Sequence, residues 1–388
     1  MAYFSFQLKK VIKTNLSVIT LCILIIISFG VLYLNVMQVN NGTSIKGDAQ
    51  GNIAMQQNVI AQDKQALKKY SPSSESYRRT ETALKQAEKQ LQVNQAIVKH
   101  INNNQWIPVY QIKINDIKKI KTSNLSDNER NFIIGAKKRY QYLINHPMPY
   151  ESDAAITGNQ LLLDLNQSYW PILFTLVIIV ILTYLYTENY KNGLDITSVL
   201  PINKFNNLLI SCSTGVVISC IMFFLLSLLV FTGSSLIFGT GSLQYPTIIH
   251  HLVSGHQIVD LVPLAALIPQ FLILQILEFV FLALFIQLLA KLLHNQLSTL
   301  LLAVLIVIGM ELSINVIVPF TKIAQWIPST YLNSFKVVSG EIAYNLNNYQ
   351  INFTNGLITL LIGTLILFIL ICLLDKVRAH YFKSVEEQ

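Results

Sequence analysis

Six apolar runs, each about as long as a bilayer is thick, decide what this chain can fold into. Leu16 to Met37 and Ser168 to Thr187 carry no charge. Asn206 to Ile258 carries none either, and its first part, Leu208 to Phe231, is its apolar core. Val262 to Ala290 holds the single charge of Glu278, Leu297 to Phe320 that of Glu311, and Thr354 to Leu374 none. A helix needs about 20 apolar residues to cross ~30 Å of hydrocarbon. The runs therefore predict six transmembrane helices. The first core is longer than the roughly 7–15 residues of a signal h-region, and no small-x-small cleavage site follows it. It reads as an uncleaved signal-anchor.

Charge is scarce, at 12% of 388 residues, against roughly 25% in soluble domains. Of the 48 charged residues (28 basic and 20 acidic), 28 fall between Lys46 and Asp164, in less than a third of the chain. One polar domain, about Val39 to Asn166, is thus inserted between the first and second spans. Orientation follows from Lys and Arg in the short connections. With the N-terminus inside, Lys9, Lys10, Lys13, Lys191, Lys204, Lys291, Lys376, Arg378 and Lys383 face the cytoplasm, and only Lys322 and Lys336 lie in short outer loops. Both termini are then cytoplasmic and the polar domain extracellular, in a bacterial plasma membrane. The net charge of +8 fits contact with anionic lipid. With neither zinc-finger spacing nor a basic recognition helix, nucleic acid is excluded as a partner.

Inside the polar domain, Asp48 to Lys69 and Glu75 to Ile101 read as helices. In the second, Tyr77, Leu84, Leu91 and Val98 recur every seven residues, with Thr80, Ala87, Asn94 and Ile101 as a weaker row. Pro72, Ser73 and Ser74 separate the two, and a serine caps the second. This predicts an antiparallel helical hairpin whose stripe packs within its own domain in preference to a second chain. Asn102 to Ile120, with Trp106, Pro108, Tyr110, Ile112 and Ile114, reads as a short extended segment. Asp127 to Asn145 reads as a helix with Phe132, Ile133, Ala136, Tyr140 and Leu143 on one side, ended by Pro147 and Pro149. Cys22, Cys212, Cys220 and Cys372 all lie in apolar runs, so the polar domain has no disulfide framework. Each cysteine is expected to be a small buried hydrophobe.

Residues 1–14 place Phe4, Leu8, Val11 and Ile12 on one helical face, with Lys9, Lys10 and Lys13 elsewhere. That is an interfacial amphipathic helix. After the second span the chain reads Thr187-Glu188-Asn189-Tyr190-Lys191-Asn192-Gly193, and then Ser198-Val199-Leu200-Pro201-Ile202-Asn203-Lys204. An amphipathic helix from Glu188 to Val199, stopped by Pro201, suits this stretch. The bland alternative is an ordinary interfacial connector. An acidic residue at the end of span two, a glycine, a Leu-Pro pair and a basic residue leading into span three resemble the cytoplasmic loop of ABC-2 type permeases. Here these are Glu188, Gly193, Leu200, Pro201 and Lys204, with Lys191 between them. Trp326-Ile327-Pro328-Ser329-Thr330-Tyr331-Leu332 before the last span is also similar to the family. One departure is Asn206-Asn207, where many relatives carry a further basic residue. The resemblance implies an ATPase-coupling loop at 188–206, a cytoplasmic ABC ATPase subunit as partner, and assembly as a homodimer or a heterodimer with a similar permease. ATP and magnesium would then reside on the ATPase, and this chain would hold no cofactor or metal and catalyse nothing. No Gly-x-x-x-x-Gly-Lys-Ser/Thr phosphate loop occurs in it.

Ionisable residues at mid-membrane depth usually face a bundle interior or a wet cavity. Glu278 has Gln270 and Gln275 on roughly the same side, and Glu311 has Asn315 one turn on. These five either line a path for cationic or amphipathic cargo or pin helix packing. Gly233 to Leu261 and Thr321 to Phe353 are semi-polar, with a re-entrant or surface-lying helix expected. His250, His251 and His256 in the first of these stretches read as a wet loop ahead of a metal site.

The expectation is an all-α polytopic protein with six transmembrane helices (15–38 the first, 167–388 the remainder) and a mainly helical extracellular domain at 39–166. Its expected function is to move an amphipathic peptide, lipid-like molecule or drug out of the cell. Two alternatives stay open: a mechanotransmitting or sensing envelope protein using its outer domain, and a sodium- or proton-coupled transporter.

Overall fold

The computed structural model describes residues 2–40, 44–120, 125–151, 154–191, 194–195, 203–253 and 256–386. Among these residues six helices are long and apolar enough to cross a membrane, so the chain is a multi-pass membrane protein. An amphipathic helix α1 (Ala2–Lys13) precedes the first of them, α2 (Asn15–Gln38). The polar domain follows as α3 (Ile45–Leu67), α4 (Glu75–Asn102), α5 (Trp106–Lys118) and α6 (Asp127–Asn145). The second span is composite. Helix α7 (Gly158–Asp164) passes through a π-helical turn, Leu165–Tyr169, into α8 (Trp170–Thr187). Pro171 has no N–H for the carbonyl of Gln167 four residues back. Asn333 Nδ2 donates to that oxygen instead, at 2.6 Å.

Two-residue strands β1 (Tyr190–Lys191) and β2 (Leu194–Asp195) pair antiparallel after α8. The third span is α9 (Lys204–Phe238). An antiparallel hairpin of β3 (Pro246–Val253) and β4 (His256–Pro263) leads into the fourth span, α10 (Leu264–Leu293). The fifth span is α11 (Gln296–Val316). Short helices α12 (Val318–Ile323), α13 (Ser334–Val338) and α14 (Glu341–Asn345) precede the last, α15 (Phe353–Glu386).

The spans are not equivalent. The most apolar stretch of Gly158–Thr187 is 72% buried inside the molecule, against 17% for Phe353–Val377. Span two is therefore the hub, and the outward faces of α2, α11 and α15 are left for lipid or another chain. Trp170, Phe174, Phe223, Phe271 and Phe279 interlock around the hub with centroids 5.5 to 6.1 Å apart, a geometry that adds to simple area burial. Trp170 also donates to Ser28 of α2 at 3.1 Å, which keeps its indole N–H satisfied in an apolar core.

The connections sort to two ends of this bundle. At one end lie α1, β1–β2, and the pair Lys291–Asp375, 2.6 Å apart, which ties α10 to α15. At the other lie the polar domain, β3–β4, and α12 to α14. There Lys138 of α6 donates to the Val259 carbonyl at 2.6 Å and pairs with Asp260. Asn131 reaches the Tyr344 hydroxyl at 3.3 Å, and the backbone N–H of His250 donates to Ser339 at 2.8 Å.

The α3–α4 hairpin forms, with Tyr77, Leu84, Leu91 and Val98 of its stripe half-buried. Ser74 caps α4 by accepting from the Tyr77 N–H at 3.2 Å. Ala87 and Ile97 are buried on the face turned to α3. Five expectations need correction. Trp106–Lys118 is a helix and not an extended segment: Pro108 falls in its first turn, where no N–H is required, and Val109, Tyr110 and Ile114 form its buried face. The stretch after α9 is the β3–β4 hairpin and not a re-entrant helix. The stretch after α11 breaks into α12, two 3-10 turns, α13 and α14. On α6, Phe132 is 78% exposed, and the buried side runs through Gly135 and Leu143. Cys22 is exposed on the outward face of α2, while the other three cysteines are half-buried.

Candidate functional site

The amphipathic pattern of α1 lays it along the bundle, where it packs on α2, α8 and α9. Its inward face consists of Phe4, Gln7, Leu8 and Val11, with Val11 buried. Gln7 is 3% exposed in the middle of that face, and its Nε2 lies 3.5 Å from the Ser211 hydroxyl of α9. Lys10 pairs with Glu188 at 2.6 Å, the two side chains being 23% and 33% exposed. Glu188 is the residue at which α8 ends. The acidic residue singled out by the loop pattern thus anchors the N-terminal helix to the end of the hub span. Sequence reasoning placed Lys10 among the cytoplasmic basic residues, off the apolar face of the helix. No local signal marks it as the partner of Glu188.

Beyond Glu188 the chain forms β1 and β2, not an amphipathic helix, over its described part. Lys191 lies in β1, and its backbone pairs with Leu194. The Tyr190 ring lies 4.5 Å from that of His294 at the far end of α10. Gly193, Leu200 and Pro201 lie outside the described residues. Lys204 is the first residue of α9 and is exposed. Asn203 caps that helix, its Oδ1 accepting from the Phe205 N–H at 3.3 Å. Beside this end sits a cavity of about 20 Å³ among Tyr186, Asn207, Ser211, Gln287 and Lys291, room for one water. Gln287 is 5% exposed and its Oε1 has no hydrogen-bond partner. It was not read with the polar set of α10 because it lies well beyond Glu278, among leucines and near the helix end.

The five intramembrane polar residues do not form one cluster. Glu278 is 1% exposed. Its Oε1 accepts from the Thr175 hydroxyl of α8 at 3.3 Å, and its Oε2 from Gln275 Nε2 at 2.8 Å. That bond across two helices pins α10 to the hub, and in this arrangement the carboxyl faces no open space. Gln270 is exposed on α10, off the Gln275–Glu278 face. Glu311 is half-buried on α11 with its Oε2 enclosed and unpartnered. Asn315 is exposed and donates to the Glu311 carbonyl at 3.1 Å.

His250 and His251 separate, as neighbouring strand residues must. The His250 ring lies 4.4 Å from Tyr344, and His251 Nε2 lies 3.2 Å from Asp260. Among the described residues no group of three or more His, Cys, Asp or Glu side chains could hold a metal ion.

Comparison with protein-family models, with curated proteins and with solved structures finds no match to this chain.

Proposed function

We propose that this chain is the membrane-spanning subunit of an ABC-type exporter driven by a separate ATPase. The observation that carries the reading is the Lys10–Glu188 pair. It ties an amphipathic N-terminal helix to the start of the connection between spans two and three. A permease that takes its power from outside must receive motion at one end of its helices. A helix docked on α2, α8 and α9 at once, and fastened where α8 ends, is placed to pass rigid-body movement into the hub. The same end carries exposed Lys204, and the ATPase docks there, over Glu188 to Lys204.

In this reading that end is cytoplasmic and the polar domain is extracellular. The cargo is amphipathic and crosses between two copies of the chain, or one copy and a similar permease, joined through apolar faces left open on the outer spans. The test is purification of the tagged chain from its native membrane with whatever accompanies it. A co-purifying ATPase with a phosphate loop, lost when residues 188–204 become a Gly/Ser linker, supports the proposal. Its absence under mild detergent removes the coupling role and favours an ion-coupled transporter.

A further inference from the structure

The junction between the polar domain and the bundle holds two spaces that share a wall. One is a polar cavity of about 320 Å³ where α6, α7, β3 and α14 converge, lined by Arg139, Glu151, Asp164, Thr247, His250 and Glu341, among others. The other is an apolar groove of about 170 Å³ between α7, α9 and α10, lined by Leu162, Phe223, Leu264, Phe271 and Phe335, among others. Leu163 borders both. Helix α7 makes the partition. At helical spacing, Gln160, Asp164 and Gln167 face the cavity, and Asn159, Leu162 and Asn166 the groove.

The cavity is a built site with groups left over. Thr247 is only 7% exposed, and its hydroxyl has no hydrogen-bond partner. His250 Nδ1 is also buried and unpartnered. Buried polar groups are ordinarily satisfied, so these two await a ligand or solvent atom. Among the described residues, three carboxyl groups line the cavity against one guanidinium. Glu341 is already paired with Lys336 at 3.0 Å, and Asp164 and Glu151 remain along the wall with Arg139, so the described lining is richer in acidic than in basic groups.

We propose that this junction binds a single-chain cationic amphiphile, with its ammonium head in the cavity beside Asp164 and Thr247 and its apolar body in the groove past Leu163. The acidic excess selects the head, and the groove's aromatic and leucine walls select the tail. That the ligand is cargo rests on the exporter reading; that it binds does not.

The probe is a dodecylamine bearing a diazirine near its tail end, used on the full chain in phosphatidylcholine nanodiscs, with the matching alkyl sulfate as control and labelled peptides mapped by mass spectrometry. The expected result is saturable labelling by the amine within residues 159–167, 223–227 and 264–272, at least about tenfold above the sulfate. Asp164→Asn and Thr247→Val each lower amine labelling, the first by about tenfold. Leu162→Trp, which fills the groove, abolishes it. Equal labelling by both head groups in the wild type, or labelling that maps elsewhere, overturns the proposal whether or not the variants fold. No ATPase is present, so failure of the exporter reading leaves this result unchanged.

Discussion

Breaking the Lys10–Glu188 pair should loosen α1 without unfolding the bundle. At 2.6 Å and an effective dielectric constant of about 40, between protein surface and bulk water, the attraction is about 3 kcal/mol. Holding a lysine and a glutamate side chain in one geometry costs about 2 kcal/mol. The net, about 1 kcal/mol, is about fivefold in the docking equilibrium of α1. Lys10→Ala and Glu188→Ala should each raise hydrogen exchange of the amides of residues 5–13 by about that factor in nanodiscs, while amides within α8 and α10 keep their protection. The double variant should exchange little faster than either single one, because only one interaction is lost. The swap Lys10→Glu with Glu188→Lys should restore most of the protection. High salt should shrink the effect, since both groups are partly exposed. A coupling energy below about 0.3 kcal/mol, or exchange in α1 unmoved by the swap, would refute the claim that this pair fastens the helix.

Gly340 sits at φ +73°, and a Cβ there would overlap the carbonyl oxygen of His250. Gly340→Ala should therefore destabilise the seat of β3 by at least about 2 kcal/mol, and an unchanged thermal midpoint would count against that packing. Tyr110 is fully buried and donates to the Met148 carbonyl at 2.7 Å. Tyr110→Phe should cost the polar domain about 1 kcal/mol, visible as faster exchange in residues 106–118. Lys291 and Asp375 are 12% and 18% exposed. Removing one should cost about 3 kcal/mol, and removing both should cost less, as differential melting of the single and double variants would report. Burial holds the Glu151 carboxyl above the usual carboxylate range, against the opposing hydrogen bond from the Ser242 N–H. The unfolded chain then releases this proton at lower pH than the folded one. Stability should fall as pH rises from about 4.5 through the folded value, and Glu151→Gln should flatten that slope.

The spans were legible because hydrophobicity is a sum over many residues, and no tertiary contact can hide 20 uncharged positions. The α3–α4 hairpin was legible for a related reason: its seven-residue stripe and its Pro-Ser-Ser break are both local. Elements whose local pattern is ambiguous were misread. Trp106, Pro108, Tyr110, Ile112 and Ile114 alternate like a strand, yet Val109, Tyr110 and Ile114 share one helical face, and burial of Tyr110 beside Leu143 and Tyr245 settles the matter in favour of the helix. The β3–β4 hairpin was within reach. Thr247-Ile248-Ile249 and Ile258-Val259 are β-branched runs flanking Ser254-Gly255, a turn dipeptide, but they sit inside a charge-free stretch that reads as membrane. Partners were not legible at all. Gln7 and Ser211 are 204 residues apart, and nothing near either names the other.

The same limit bears on what the acidic groups are for. A carboxyl at mid-span must be satisfied, so Glu278 was recognisable as special from its position alone. Its partners turn out to be Thr175 and Gln275, both neutral, in a chain whose apolar runs carry no Lys or Arg. A carboxyl enclosed by two such donors and 1% exposed has no free face to offer a cation, and its effect is to hold α10 on α8. The acidity that a cationic head could reach lies instead at Glu151 and Asp164, one on the polar domain's last connection and one on the first turns of the hub span. Neither drew notice in the sequence, because charge in a polar segment is unremarkable until folding walls it in. In the π-helical turn that follows α7, Asn166 still borders the apolar groove and Gln167 the polar cavity, so the partition between head and tail continues for one turn past Asp164.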